Sequence, residues 1–466
     1  VLKTLKKIVH SKDEFLEIRY HKRFSTVIQF KNGILKKGER KTLDGAGIRA
    51  LVDGCWGFVS TSETDENNLR RAVDEAIKAA REASALKKEK IENLSQGDVG
   101  QGEYFLYQPD KDEPGFGEKV SELQKADERI RNSGEDIIGS IVNYHVFQDT
   151  KVIVTSNGAE AEIFDQKSEI GVVAFGAKDG KQEMAMVSNG VTGGWKDLFS
   201  REDLDKMTEK AVEIVRTKLK AGYAPGGNYT VILDPRLVGV LAHEAIGHTV
   251  EADFVLSGSV VADKIGEKVA SELITLVDDG SVEGAGKVIV DDEGTASKPT
   301  VIIENGILKN YLHNRESAFM FSTEPRGNAR AFTYRDQPLI RMTNTFIKPG
   351  KDKLDNMIKG VEDGFLLIGM DQGGQADATG EFMFGVQEGY RIKNGEIKEP
   401  VKGINISGQA FEVLKSADAL SEEFRMDLGA GYCGKMQPAK ADAGGPYLRC
   451  RVKIGGQQEE GEQDGE

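Results

Sequence analysis

Between residues 14 and 60 apolar and polar positions alternate with a period of two, and the alternation breaks at Asn32-Gly33. That pattern predicts strands joined by a hairpin whose two turn residues need positive φ. Gly-punctuated strands continue through LDGAGIRALVDGCWGFVST. The period then changes. In TDENNLRRAVDEAIKAAREASAL, Leu69, Val73, Ala76, Ile77 and Ala80 share one helical face, with acidic residues in the first turn. A polar connection over about 85–115 reads as surface chain. A second helix follows at about 116–132, then strands with turns at Asn157-Gly158 and Asp179-Gly180. A third helix spans 200–220, with Ser200 and Asp203 spaced as a capping box. Runs of strands followed by helices indicate an α+β fold rather than a parallel α/β sheet.

The segment AGYAPGGNY (221–229) marks the best domain boundary, after which the chain is Gly-rich and strand-rich with one marked helix. This gives an N-terminal mixed α/β domain (1–221), which a break near 85–115 would split further. A strand-rich C-terminal domain (222–455) carries the marked helix, and an acidic tail (456–466) lacks apolar residues and is expected to be disordered. The octapeptides FKNGILKK (30–37) and IENGILKN (303–310), with the looser IKNGEIKE (392–399), are best explained by Asn-Gly hairpins converging on one sequence.

Length and charge narrow the function. A chain of 466 residues can bury a sizeable core, and a formal charge of −14 argues against general nucleic-acid binding. No apolar run approaches the roughly 20 residues of a bilayer helix. The basic start VLKTLKKIVHSKDEF is not followed by a signal-type apolar stretch, so a cytoplasmic location is expected. Cys55, Cys433 and Cys450 are too few and too scattered for a disulfide framework.

The chemistry concentrates in VILDPRLVGVLAHEAIGHTVEADF (231–254). Asp234 is a suitable N-cap and Pro235 suits N1. The helix then presents His243, Glu244 and His248 as H-E-x-x-x-H. Two His flanking a Glu is how zinc hydrolases deliver two ligands and a general base from one helix. The spacing is one longer than usual. Five residues rotate an ideal helix by about 500°, leaving the two His roughly 140° apart. Both reach one metal only if the helix is locally widened, so a π-type distortion is predicted at 243–248, eased by Gly247. A third ligand is required, and Glu251, Asp253, His313 and Cys433 are all available. Cys433 leads because Gly429, Gly431 and Gly434 build a tight loop around it, whereas Cys450 and Cys55 sit in apolar strands.

These segments resemble the TldD/PmbA family, whose members were once labelled modulators of DNA gyrase. The resemblance rests on DGAGIRALVDGCWGFVSTSETDENNLRRAVDEAIKAAR, HEAIGHTVEADF, VDDEGTASKPTVIIENGILKNYL, RMTNTF, TGEFMFGVQEGYRIKNGEIKEPVKGINISGQAFEVL and GYCGKMQP, and covers most of the chain. It implies a metallopeptidase with one zinc per chain held by His243, His248 and Cys433, and with Glu244 as catalytic carboxylate. It also implies peptides or unfolded segments as substrates. The expected assembly is a homodimer, or a heterodimer with a partner-type (PmbA/TldE-like) subunit. No direct nucleic-acid or membrane contact is expected. The competing reading is a non-enzymatic partner-binding regulator whose metal is structural, closed by a fourth ligand such as Glu251. His313 and Tyr311 are possible oxyanion donors. The stretch 370–382 could line the substrate, and Arg341 and Asn344 either bind peptide or fix strands.

Overall fold

The computed structural model describes residues 1–376 and 379–455, with backbone alone at 372–376. The acidic tail therefore lies outside the described residues. The fold is α+β, as the order of elements implies. Seven strands form the first sheet: β1 (Phe15–Lys31), β2 (Ile34–Val52), β3 (Cys55–Thr61), β4 (Gln101–Phe105), β5 (Ile137–Thr155), β6 (Glu160–Lys178) and β7 (Lys181–Thr192). The order is β3-β2-β1-β5-β6, and both β4 and β7 pair with β6. Asn32 and Gly33 take φ of 52° and 80°, the left-handed pair a type I′ hairpin requires. Asn305-Gly306 and Asn394-Gly395 repeat this conformation, so all three NG octapeptides are hairpins of the same turn chemistry.

The two faces of this sheet differ. Even positions of β1 (Leu16, Ile18, Ile28, Phe30) are buried in two apolar clusters shared with the helices Leu2–Val9, Glu66–Leu86, Phe116–Arg131 and Leu204–Lys220. Odd positions Glu17, Arg19, His21 and Arg23 are also buried, against the C-terminal half. Arg49 reaches Glu293 at 2.7 Å, Lys151 reaches Asp292 at 2.8 Å, and Arg19 donates to the carbonyls of Thr333 and Asp336. The polar face is thus an internal seam. Buried charges are tolerated when they are paired, and the seam supplies partners for Arg19, Arg49 and Lys151.

Two expectations are corrected. The 85–115 connection is not simply surface chain: it contributes β4, and Leu94 and Leu106 are buried. The third helix starts at Leu204 with Asp203 as its cap, accepting from the Lys206 amide at 2.8 Å. Ser200 is unavailable for capping because its hydroxyl donates to the Asp197 carbonyl at the end of a preceding turn.

In the C-terminal half five strands close on themselves. Asp442–Gly455 pairs with Gly227–Leu233, then Asp363–Ala376, Glu381–Lys393 and Asn405–Gln409, which returns to Asp442–Gly455. The marked helix shares one core with this ring, through Leu237, Val238, Leu241, Ala245 and Ile246 against Phe365, Phe384 and Leu448. Gly239 is required there, since a Cβ would sit 2.9 Å from the Ala443 backbone. Short helices at Arg315–Met320, Leu354–Lys359 and Ala410–Lys415 add to the single helix expected. Among the described residues no helix is long and apolar enough to cross a membrane.

Candidate metal centre

The chain enters the site from Asp234, whose carboxylate accepts from the Leu237 amide at 2.9 Å with Pro235 at the first helical position. Pro235–Val240 is α-helical, Leu241–Gly247 is a π-helix, and His248–Val250 is a 3₁₀ turn. The distortion predicted from the histidine spacing is therefore present. The His248 amide bonds the His243 carbonyl, an i to i−5 closure that stacks residues five apart as an α-helix stacks residues four apart. The two imidazole centroids come within 5.3 Å, nearly perpendicular. Gly247 also permits a close approach, since a Cβ there would meet the Met342 sulfur at 2.0 Å.

The late loop supplies the sulfur. Strands Cys433–Lys435 and Gln437–Ala439 form a hairpin turned at Met436, which has φ of 59°. Buried Arg341 holds this hairpin by donating to the carbonyls of Cys433 and Gln437, each at 2.8 Å. The Cys433 sulfur lies 3.1 Å from His248 Nε2. Donor atoms of His243, Glu244, His248 and Cys433 all fall within 4.8 Å of one another. His243, Glu244 and Cys433 border a cleft of about 190 Å³ whose other walls include Val240, Met370, Leu428 and Tyr432.

Electrostatics favours a thiolate facing imidazoles. Burial opposes ionisation of the Cys433 thiol, but His243 and His248 outweigh it and draw its pKa down to about 5. Burial disfavours an imidazolium at His248, yet Glu251 and the sulfur raise its pKa to about 10. His243 is raised as well, the sulfur overcoming the effect of burial. Two nitrogens and a thiolate beside an open cleft are the donor chemistry of a zinc centre with a free position. The orienting contact usual for a metal-bound histidine is also present. Fully buried Glu251 sits 3.2 Å from His248 Nδ1, on the ring side opposite the sulfur.

The other sequence candidates fall elsewhere. Glu251 and Asp253 are both held by Lys435, at 2.7 Å and 2.8 Å, and neither joins the cluster. His313 is buried against Tyr311 and Phe321 with Nδ1 on the Ser317 hydroxyl, and Tyr311 donates to the Val261 carbonyl. Arg341 and Asn344 fix backbone: Asn344 donates to the carbonyls of Asp279 and Val282. Of the 370–382 stretch, Met370 lines the cleft, and residues 377–378 lie outside the described residues. Sequence reasoning missed the roles of Lys435 and Tyr432, while Arg341 takes the strand-fixing one of its two expected roles. Tyr432 precedes Cys433 and meets His145 Nδ1 of β5 through its hydroxyl at 3.1 Å. The only available signal was Lys435 two residues after the candidate cysteine.

Comparison with known proteins accounts for most of the chain. Models of the PmbA/TldA metallopeptidase match over residues 16–80 (domain 1), 109–219 (central domain) and 226–456 (C-terminal domain). A metalloprotease of Methanothermobacter thermautotrophicus is 34% identical, with 96% of this chain and 97% of that protein covered. A zinc metalloprotease TldD homolog of Saccharolobus solfataricus is 28% identical over 98% of this chain and 100% of its own length. The crystal structure of TldE from Thermococcus kodakarensis shares the fold, with a TM-score of 0.75, 19% identity, and 97% and 99% of the two chains covered.

Proposed function

The chain belongs to the PmbA/TldD metallopeptidase family, and on that premise we propose that it is a zinc-dependent peptidase acting on peptides or unfolded polypeptide segments. The observation that carries this reading is the convergence of His243, Glu244, His248 and Cys433 within 4.8 Å at the wall of a cleft. In this reading residues 222–455 carry the chemistry and residues 1–221 brace them across the charged seam.

His243, His248 and Cys433 hold one zinc per chain. When bound, the metal polarises a scissile carbonyl and lowers the pKa of a water to about 7. Glu251 accepts the Nδ1 proton of His248 and so fixes Nε2 toward the cluster. Glu244, with 43% of its side chain exposed and an oxygen 3.7 Å from His248 Nε2, faces both histidine and solvent. It takes the proton of the attacking water and passes it to the leaving amine. A thiolate donates more electron density than a third imidazole, which tempers the Lewis acid and favours slow, selective cleavage. Glu251, one candidate for closing a structural shell, is instead engaged by His248 Nδ1 and Lys435.

An extended peptide added to a free strand edge would be recognised mainly through its backbone, giving loose sequence preference. The protein works in the cytoplasm as a homodimer or beside a TldE-like subunit, in line with its fold likeness to TldE. The test is cleavage of an unfolded polypeptide by the purified chain, alone and with a TldE-like subunit, before and after chelation. Activity that is lost on chelation, restored by zinc, and reduced about 10²–10⁴-fold in Glu244→Gln with the metal retained is expected. Cleavage that survives chelation, or is unchanged in Glu244→Gln, would overturn the proposal.

A further inference from the structure

The charged face of the seven-stranded sheet does not close completely on the C-terminal half. A chamber offering about 60 Å³ to water-sized groups remains, walled by β1, β5 and β6, by 287–292, by 330–332 and by 438–440. One water takes roughly 10–15 Å³ by this measure, so the chamber accepts an object of about four to six such volumes.

Its charges almost pair off. Arg23 holds Asp149 through two bonds of 2.7 Å, and Lys151 holds Asp292 at 2.8 Å. Lys167 lies 3.3 Å from Asp165, Lys440 is bonded to Glu169, and Lys287 to Glu283. Arg330 is left over. Its guanidinium donates to the Met342 carbonyl at 2.8 Å, and among the described residues it forms no ion pair. A guanidinium does not deprotonate in proteins; Asp292, Asp278 and Asp165 attract Arg330 only from beyond ion-pair distance, so no carboxylate sits directly on its charge. Leaving such a charge in a low-dielectric interior is costly unless an anion joins it. Lys167 feels Arg330 and Lys440 as neighbouring positive charges, and burial with these neighbours lowers its pKa to about 8.

We propose that this chamber is a binding site for a small oxyanion seated on Arg330. Half of the lining residues are apolar, among them Leu106, Phe147, Val290 and Phe332. That favours a carboxylate with a short hydrocarbon stem over inorganic phosphate. The site is distinct from the metal centre but touches its scaffold. Ala439 in the chamber wall pairs across the hairpin with Cys433, and Lys440 also donates to the Gly431 carbonyl. An anion there ties the hairpin that carries the sulfur to the N-terminal sheet.

The test is calorimetric titration of the metal-saturated full chain with acetate and, separately, with inorganic phosphate, chloride holding ionic strength constant. Saturable acetate binding in the wild type, weakened about tenfold or more in Arg330→Gln, is the expected result. Lys287→Gln, which leaves only an exposed Glu283 unpaired, should weaken it by a smaller factor. Phosphate binding more tightly than acetate, with the same loss in Arg330→Gln, would support the site and assign phosphate as its occupant. Equal binding in wild type and Arg330→Gln would place the anion on the metal and overturn the proposal, as would no saturable binding of either anion. If Arg330→Gln does not fold, unchanged affinity in Lys287→Gln overturns it.

Discussion

Loading the metal centre should release protons, and the structure identifies their source. In the metal-free chain the pKa of Cys433 lies at about 5 and that of His248 at about 10. At neutral pH the sulfur is then already a thiolate, while His248 still carries a proton that a metal ion must displace. A histidine with a raised pKa is protonated below that value, so protons compete with the metal throughout the range up to about pH 10 and cease to compete above it. Stripping a proton three units below its pKa costs about 4 kcal/mol at 1.36 kcal/mol per unit. Zinc affinity should therefore climb about tenfold per pH unit from neutrality toward pH 10. Removing the main stabiliser of the imidazolium, in Glu251→Gln, should flatten that slope. The assay is competition for zinc against a chromophoric chelator across pH, with thiolate absorbance recorded before metal is added. A flat affinity profile, or no thiolate absorbance at neutral pH in the metal-free chain, would refute the reasoning.

Three substitutions probe the surrounding structure. Arg341→Met removes two charge-assisted bonds that hold the sulfur hairpin, each worth about 1.5–3 kcal/mol; zinc should dissociate faster, measured by transfer to excess chelator. Gly247→Ala drives a methyl into the Met342 sulfur and should cost about 1–3 kcal/mol in denaturant unfolding, partly recovered by adding Met342→Ala. Arg23→Gln removes the two-bond guanidinium partner of buried Asp149, leaving His21 beside it, and should destabilise by about 3 kcal/mol. Burial raises the Asp149 carboxyl, but His21 and Arg23 outweigh it and hold the pKa well below the ordinary 3.8. The stability it contributes is thus full above pH 3.8 and lost as pH falls further, so the gap between wild type and Arg23→Gln should close in acid.

What the sequence revealed was what local chemistry dictates. The NG hairpins, the Asp234 cap and the amphipathic helices rest on short-range rules and were legible. So was the helix distortion, because two histidines five apart can meet only if the turn widens. The seam was not legible. Glu17, Arg19, His21 and Arg23 alternate with apolar residues just as a solvent-facing edge would, and only the tertiary fold brings Asp292, Glu293 and the backbone at Thr333 and Asp336 against them. The same limit applied to Glu251. Its sequence distance from His248 suits a metal ligand and an orienting carboxylate equally, and the choice depends on which ring nitrogen it faces. Lys435, 184 residues away, settles that by holding the carboxylate from the other side.

The most direct test of the account is the metal content of the purified wild type, His243→Ala and Cys433→Ser, with cleavage of an unfolded polypeptide measured on the same samples. The account predicts about one zinc per chain in the wild type, and loss of both metal and cleavage in each variant. Zinc and cleavage retained in Cys433→Ser would contradict it.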